Sequence, residues 1–204
     1  MDTVIRFFIF LLLFACSRHE AIVVAEDPQP DSPSWWSFFT VDGVDSDKDG
    51  VRDDVEIWIN EQTQDYNYNQ ALKQLARTDL ESLKITDSLN AQLNLQKLVK
   101  DGHCKMFILM NTYPDELKKN PSLSYKLRKM ILNNPWRRNR YNEVGKLIPK
   151  QFLLVTAKYP AEEFTSCEFQ VKGFESLLLR HRKESENNSA LVEAIDKFLL
   201  ENKL

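Results

Sequence analysis

Asp45, Asp47, Asp49, Asp53 and Glu56 place carboxylates at positions 1, 3, 5, 9 and 12 of one twelve-residue stretch, DSDKDGVRDDVE, with Gly50 at position 6. Like charges at this spacing repel one another unless a cation sits among them. The oxygen chemistry suits a hard ion, because calcium takes six to eight oxygens at about 2.3–2.6 Å in a flexible shell. Three alternating aspartates can curl around one such ion. Gly50 takes a sharp turn that a side chain would obstruct. Val51 offers its backbone carbonyl, and Asp53 acts directly or through a water. Glu56 closes the shell with two oxygens from the first turn of the next helix. The stretch therefore predicts Ca2+ held by Asp45, Asp47, Asp49, Val51, Asp53 and Glu56.

These residues resemble the calcium loop of EF-hands, matching D-x-D-x-D-G-x5-E at each fixed position. They resemble still more closely the DxDxDGxxD loops of thrombospondin type 3 repeats and related bacterial surface proteins. Two points favour the second likeness. The apolar residue is Val51 at position 7, with Arg52 at position 8, and the preceding TVDGV does not read as an entering helix. The resemblance covers about twelve of 204 residues, so it identifies a site and no family for the whole chain. A calcium sensor pairs two such loops and one is found here. The expected role is structural, with the ion stiffening the junction between a tether and a helical body.

Other residue types offer little chemistry. His19 falls in a tether-like segment, and His181 has no chemical motif around it. His103 adjoins Cys104, but adjacent residues on a helix point in different directions, which separates a thiol from its base. HExxH, GxSxG, CxxC and a glycine-rich phosphate loop are all absent from the sequence. No catalytic residue and no organic cofactor are assigned. The stretch Trp136-Arg137-Arg138-Asn139-Arg140-Tyr141 is basic and flanked by aromatics. Arg137, Arg138 and Arg140 either meet an anionic envelope polymer or envelope protein, or form a solvated helix face. A net charge of −3 and pI near 5.7 give no pull towards nucleic acid, and none is expected as a partner.

The rest of the chain must export and position the loop. Phe7 to Ala15 read FFIFLLLFA behind Arg6, a secretory signal pattern. The run is shorter than the roughly 20 apolar residues that span a bilayer as a helix. Leu13-Phe14-Ala15-Cys16 resembles the bacterial lipobox, which implies a lipid anchor on Cys16 and attachment to a membrane. Ser17 stands where an aspartate retains some lipoproteins at the inner membrane. The expected location is therefore the outer membrane, facing the periplasm or the cell surface. With Cys16 acylated, Cys104 and Cys167 remain, and an oxidising compartment favours their pairing over two buried thiols.

The sequence divides into a signal peptide over 1–15, a lipidated flexible tether over 16–34, an aromatic segment and calcium loop over 35–60, and a helical domain over 61–204. Pro28, Pro30 and Pro33 mark the tether. Trp35, Trp36, Phe38 and Phe39 either pack into the body or lie on a membrane surface. A helix opens at Asp54, and QFLLVT (151–156) is the one plausible strand. Leu72, Leu75, Ala76, Leu80 and Leu83 recur at helical spacing. So do Leu95, Leu98, Val99, Met106, Phe107 and Met110, and again Leu191, Ile195, Phe198 and Leu199. Asn120-Pro121 and Asn134-Pro135 read as helix starts, Pro160 as another, and Ser189 as a cap. A hydrophobic fraction of 43% supports a core, and 5 glycines argue against a turn-rich β fold. The expected fold is mainly α, an irregular bundle of about six to seven helices preceded by the calcium loop and the tether.

These readings favour a non-enzymatic, membrane-tethered envelope protein with a structural calcium loop. One alternative is an enzyme acting on a cell-envelope polymer, though no carboxylate pair can be named for it. The other is a calcium-dependent adhesion or assembly factor, which lacks a second loop.

Overall fold

The computed structural model describes residues 40–112, 123–150 and 163–202, and seven α-helices make up most of them. These are α1 (Asp53–Gln62), α2 (Tyr66–Ser82), α3 (Ser88–Thr112), α4 (Leu123–Ile131), α5 (Pro135–Leu147), α6 (Phe174–Glu184) and α7 (Ser189–Asn202), with a 3-10 turn at Glu163–Thr165. No strand occurs among the described residues. The mainly α bundle predicted from periodicity is the observed fold. The signal peptide, Cys16, the tether, the aromatic segment up to Phe39, Asn120-Pro121, QFLLVT and Pro160 lie outside the described residues.

α2 is the central element and packs on α3, α4 and α1. Its apolar stripe Leu72, Leu75, Ala76 and Leu80 is buried, as the spacing predicts. So are Lys73, Gln74, Thr78 and Asp79, because neighbours cover the helix on most sides. Buried polar groups need partners, and Gln74 and Asp79 show how they are found. Gln74 Nε2 donates to Asp101 Oδ1 at 2.6 Å and to the Ser166 carbonyl at 3.0 Å, while its Oε1 accepts from the Glu168 amide at 2.9 Å. Arg128 of α4 donates to Asp79 Oδ1 at 3.1 Å.

Of the expected α3 stripe Phe107 is buried, while Leu95, Leu98, Val99 and Met106 are half-buried. Met110 is exposed, and the buried stripe runs through Asp101, Cys104, Phe107, Ile108 and Asn111. Two of those positions are polar, so a hydrophobic count misplaces the face. The disulfide forms between Cys104 and Cys167, with Cα atoms 4.8 Å apart. It ties α3 to the loop after the 3-10 turn. Phe107, Phe174, Phe198 and Phe164 pack ring against ring in that order and close the core over the last two helices. Asn134 caps α5 as expected, accepting from the Arg137 amide at 2.8 Å with Pro135 behind it. The cap of α7 sits one residue earlier than expected: Asn188 Oδ1 accepts from the Leu191 amide at 3.3 Å, and Ser189 is already helical. No helix among the described residues is long and apolar enough to cross a membrane.

Candidate metal centre

Residues 40–52 contain no helix, so the loop is entered from irregular chain. It leaves directly into α1. The Asp53 amide donates to the Val44 carbonyl at 2.9 Å, and the Arg52 carbonyl accepts from the Val55 and Glu56 amides at 2.8 and 3.0 Å. Between these points the carboxylates fold the loop on itself. Asp47 Oδ1 accepts from the Asp49 amide at 3.2 Å, Asp49 Oδ1 from Val51 at 2.6 Å, and Asp45 Oδ2 from Gly50 at 3.1 Å. Aspartate turns that reach an amide two residues on are a local property of the residue type. Lys48 and Gly50 take left-handed φ values of 64° and 88°, which tightens the curl. One oxygen from each of Asp45, Asp47 and Asp49 then lies within 4.8 Å of the others.

The site has an excess of negative charge in a partly buried place. Burial pushes the Asp45, Asp49 and Glu56 carboxyls above the usual range, and the nearby Asp47 charge pushes each the same way. Two of the loop's carboxylate oxygens, Asp45 Oδ1 and Glu56 Oε2, are buried with no hydrogen-bond donor among the described residues. A buried anionic oxygen without a donor is costly, and a cation is the natural partner. The donors here are all oxygens, which suits a hard ion over a thiophilic one. The three aspartates thus form an acidic cluster able to hold a metal ion.

The other expected ligands are placed differently. Asp53 spends both oxygens on Ser46, accepting from its amide at 2.8 Å and its hydroxyl at 2.7 Å. It staples the loop to the N-terminus of α1 and is not one of the three clustered aspartates. Glu56 is fully buried. Its Oε1 pairs with Lys73 Nζ of α2, which leaves Oε2 as the open oxygen. Val51 is fully buried in the hydrophobic core and anchors the loop there.

Three basic side chains near the loop escaped sequence reasoning. Lys73 holds Glu56. Arg77, one turn further along α2, donates from Nε to the Asp49 carbonyl at 2.7 Å, and its Nη2 stands 3.7 Å from Asp49 Oδ2. Arg52 is turned inward, 1% exposed; it pairs with Asp54 and reaches the Met130 and Ile131 carbonyls at 3.2 and 3.3 Å. The available signal was Lys73 inside a helix whose flanking residues are core.

The basic stretch of α5 is divided: Trp136, Arg138 and Asn139 are exposed, Arg140 and Tyr141 are half-buried, and Arg137 is internal. Arg137 is fully buried, donating to the Val41 carbonyl at 3.1 Å and to Asn133. Burial and the neighbouring Arg52 push it down to about 10, so it stays charged at neutral pH. Arg140 holds the Leu83 and Ile85 carbonyls at 2.9 and 2.6 Å. A guanidinium with five donors suits such carbonyl-gathering. Of the three arginines, Arg138 is the one at the surface.

No protein family, curated protein or solved structure matches this chain.

Proposed function

We propose that this is an exported envelope lipoprotein, anchored through Cys16 and non-enzymatic, whose Asp45–Glu56 loop holds a structural Ca2+. The observation that carries the metal reading is the pair of buried, donor-less oxygens, Asp45 Oδ1 and Glu56 Oε2, in a loop whose three aspartates already converge. Asp45, Asp47, Asp49 and Glu56 would hold the ion, and the resemblance to calcium loops adds the Val51 carbonyl. The ion supplies positive charge where the carboxylates are short of it. Because Val51 and Glu56 are also buried in the body, a loaded loop braces the start of α1 against α2. Export is supported by the Arg6–Ala15 pattern and by the Cys104–Cys167 disulfide, a bond typical of oxidising compartments.

Extracellular calcium modules bind at roughly 10⁻⁴–10⁻³ M. At ten times the Kd, binding stabilises a fold by about 1.4 kcal/mol. For a chain of this size that is a rise in Tm of about 3–6 °C. Calorimetric titration with Ca2+, and melts with calcium or with chelator, test the reading. Absence of binding heat together with identical melts refutes it. Incorporation of a labelled fatty acid, lost in Cys16→Ser, tests the anchor.

A further inference from the structure

Glu56 is fully buried and Lys73 is 1% exposed, and the two face each other across the α1–α2 contact. One carboxylate oxygen is taken by the ammonium and the other has no donor. The half-occupied carboxylate stands at the twelfth loop position, the one that the resemblance to calcium loops assigns to closing the shell. An ammonium has three donors and no lone pair, so it satisfies a carboxylate but cannot ligate a metal. We infer that Lys73 sets the cation affinity of this site: its ammonium is a built-in occupant of Glu56, and a divalent ion binds only against it. The inference rests on the loop being a cation site and adds what limits its affinity.

The argument is electrostatic and steric. A cation held by Glu56 would share that carboxylate with the ammonium. Like charges a few ångströms apart in a partly buried setting repel strongly. Lys73 relieves the repulsion only by giving up its bond to Glu56, because its side chain is enclosed there. Arg77 differs. Its side chain is 31% exposed, and its charge stands 3.7 Å from Asp49 Oδ2, so it can move aside when a cation arrives. Lys73 is therefore the residue that decides. The chain thus supplies one positive charge of its own at the twelfth position.

The opposite role predicts the opposite sign. If Lys73 merely orients Glu56 for the metal, removing it weakens binding. Calcium titration calorimetry on the whole purified protein separates the two, using wild type, Lys73→Met and Lys73→Gln. Lys73→Gln keeps an amide donor for Glu56 without the charge. Both variants are expected to bind Ca2+ at least tenfold more tightly than wild type. Both are expected to melt lower in chelator and to gain more from saturating calcium than wild type gains. Calcium binding by wild type, with equal or weaker binding by folded variants, overturns this inference and leaves the metal reading standing. Absence of binding by all three proteins overturns both. Binding by the variants alone supports the inference in its strongest form, with Lys73 filling the site outright. Should neither variant fold, amine-reactive labelling of wild type decides, read by mass spectrometry at Lys73. Saturating calcium is expected to speed that labelling, and an unchanged rate overturns the inference.

Discussion

Gly43→Ala is expected to destabilise the protein by at least about 3 kcal/mol, from two separable terms. Gly43 lies at φ +75°, where an L residue costs roughly 1–2 kcal/mol. The second term is a collision. A Cβ at this position falls 1.9 Å from Arg52 Cδ and 2.7 Å from Arg52 Cγ. Those atoms lie in the middle of a side chain whose tip is held by Asp54 and by the Met130 and Ile131 carbonyls. Displacing Arg52 leaves Asp54, itself 4% exposed, with Asn133 as its remaining donor at 3.1 Å. Breaking one side of a buried pair costs roughly 3–5 kcal/mol. The sum is about 4–7 kcal/mol before backbone relaxation, against a typical total stability of about 5–15 kcal/mol. Denaturant unfolding with an unchanged m value measures it. Gly173→Ala supplies the control, because its φ is +68° but no atom lies within 4 Å of the added Cβ. That variant carries only the backbone term of about 1–2 kcal/mol. If Gly43→Ala falls within about 1 kcal/mol of Gly173→Ala, Arg52 is not pinned and the reasoning is wrong.

Other contacts give further expected outcomes. Asp53→Ala loses two bonds to Ser46 and is expected to cost about 2–3 kcal/mol equally in calcium and in chelator; a loss seen only in calcium would make Asp53 a ligand. Asp47→Asn, at an exposed position, is expected to change metal-free stability by less than about 0.5 kcal/mol while weakening calcium binding, read by calorimetry. Opening the Cys104–Cys167 bridge, which spans 63 positions, is expected to cost about 4 kcal/mol in the chain-entropy model, measured by unfolding with and without reductant. Burial holds the Asp101 carboxyl above 3.8 despite the hydrogen bond from Gln74. Folding therefore takes up a proton at this group between 3.8 and its higher folded value, and stability from this source falls as pH rises through that window. The stability of Asp101→Asn relative to wild type should rise over the same window and level off above it; a difference curve flat with pH contradicts this.

What sequence could and could not reveal divides by range. The convergence of Asp45, Asp47 and Asp49 comes from each carboxylate binding an amide a few residues on, so spacing alone carries it. The start of α1 and the cap of α5 are local in the same way. The fate of Glu56 is not local, because its partner Lys73 lies 17 residues away on another helix. Arg137 and Arg140 were open to reading as a surface patch for a similar reason. Nothing near them in sequence reveals that the fold brings the carbonyls of Val41, Leu83 and Ile85 to their guanidinium groups. The same division bears on what a bound ion would add. Counted along the chain, the segment Asp42–Glu56 has seven acids against two bases, a balance that calls for an ion. Folded, it borrows Lys73 and Arg77 from α2 and turns its own Arg52 onto Asp54. Three cations from the chain do part of the work expected of the metal. A bound ion would add to charge that the chain already supplies, by an amount set by how readily Lys73 gives way.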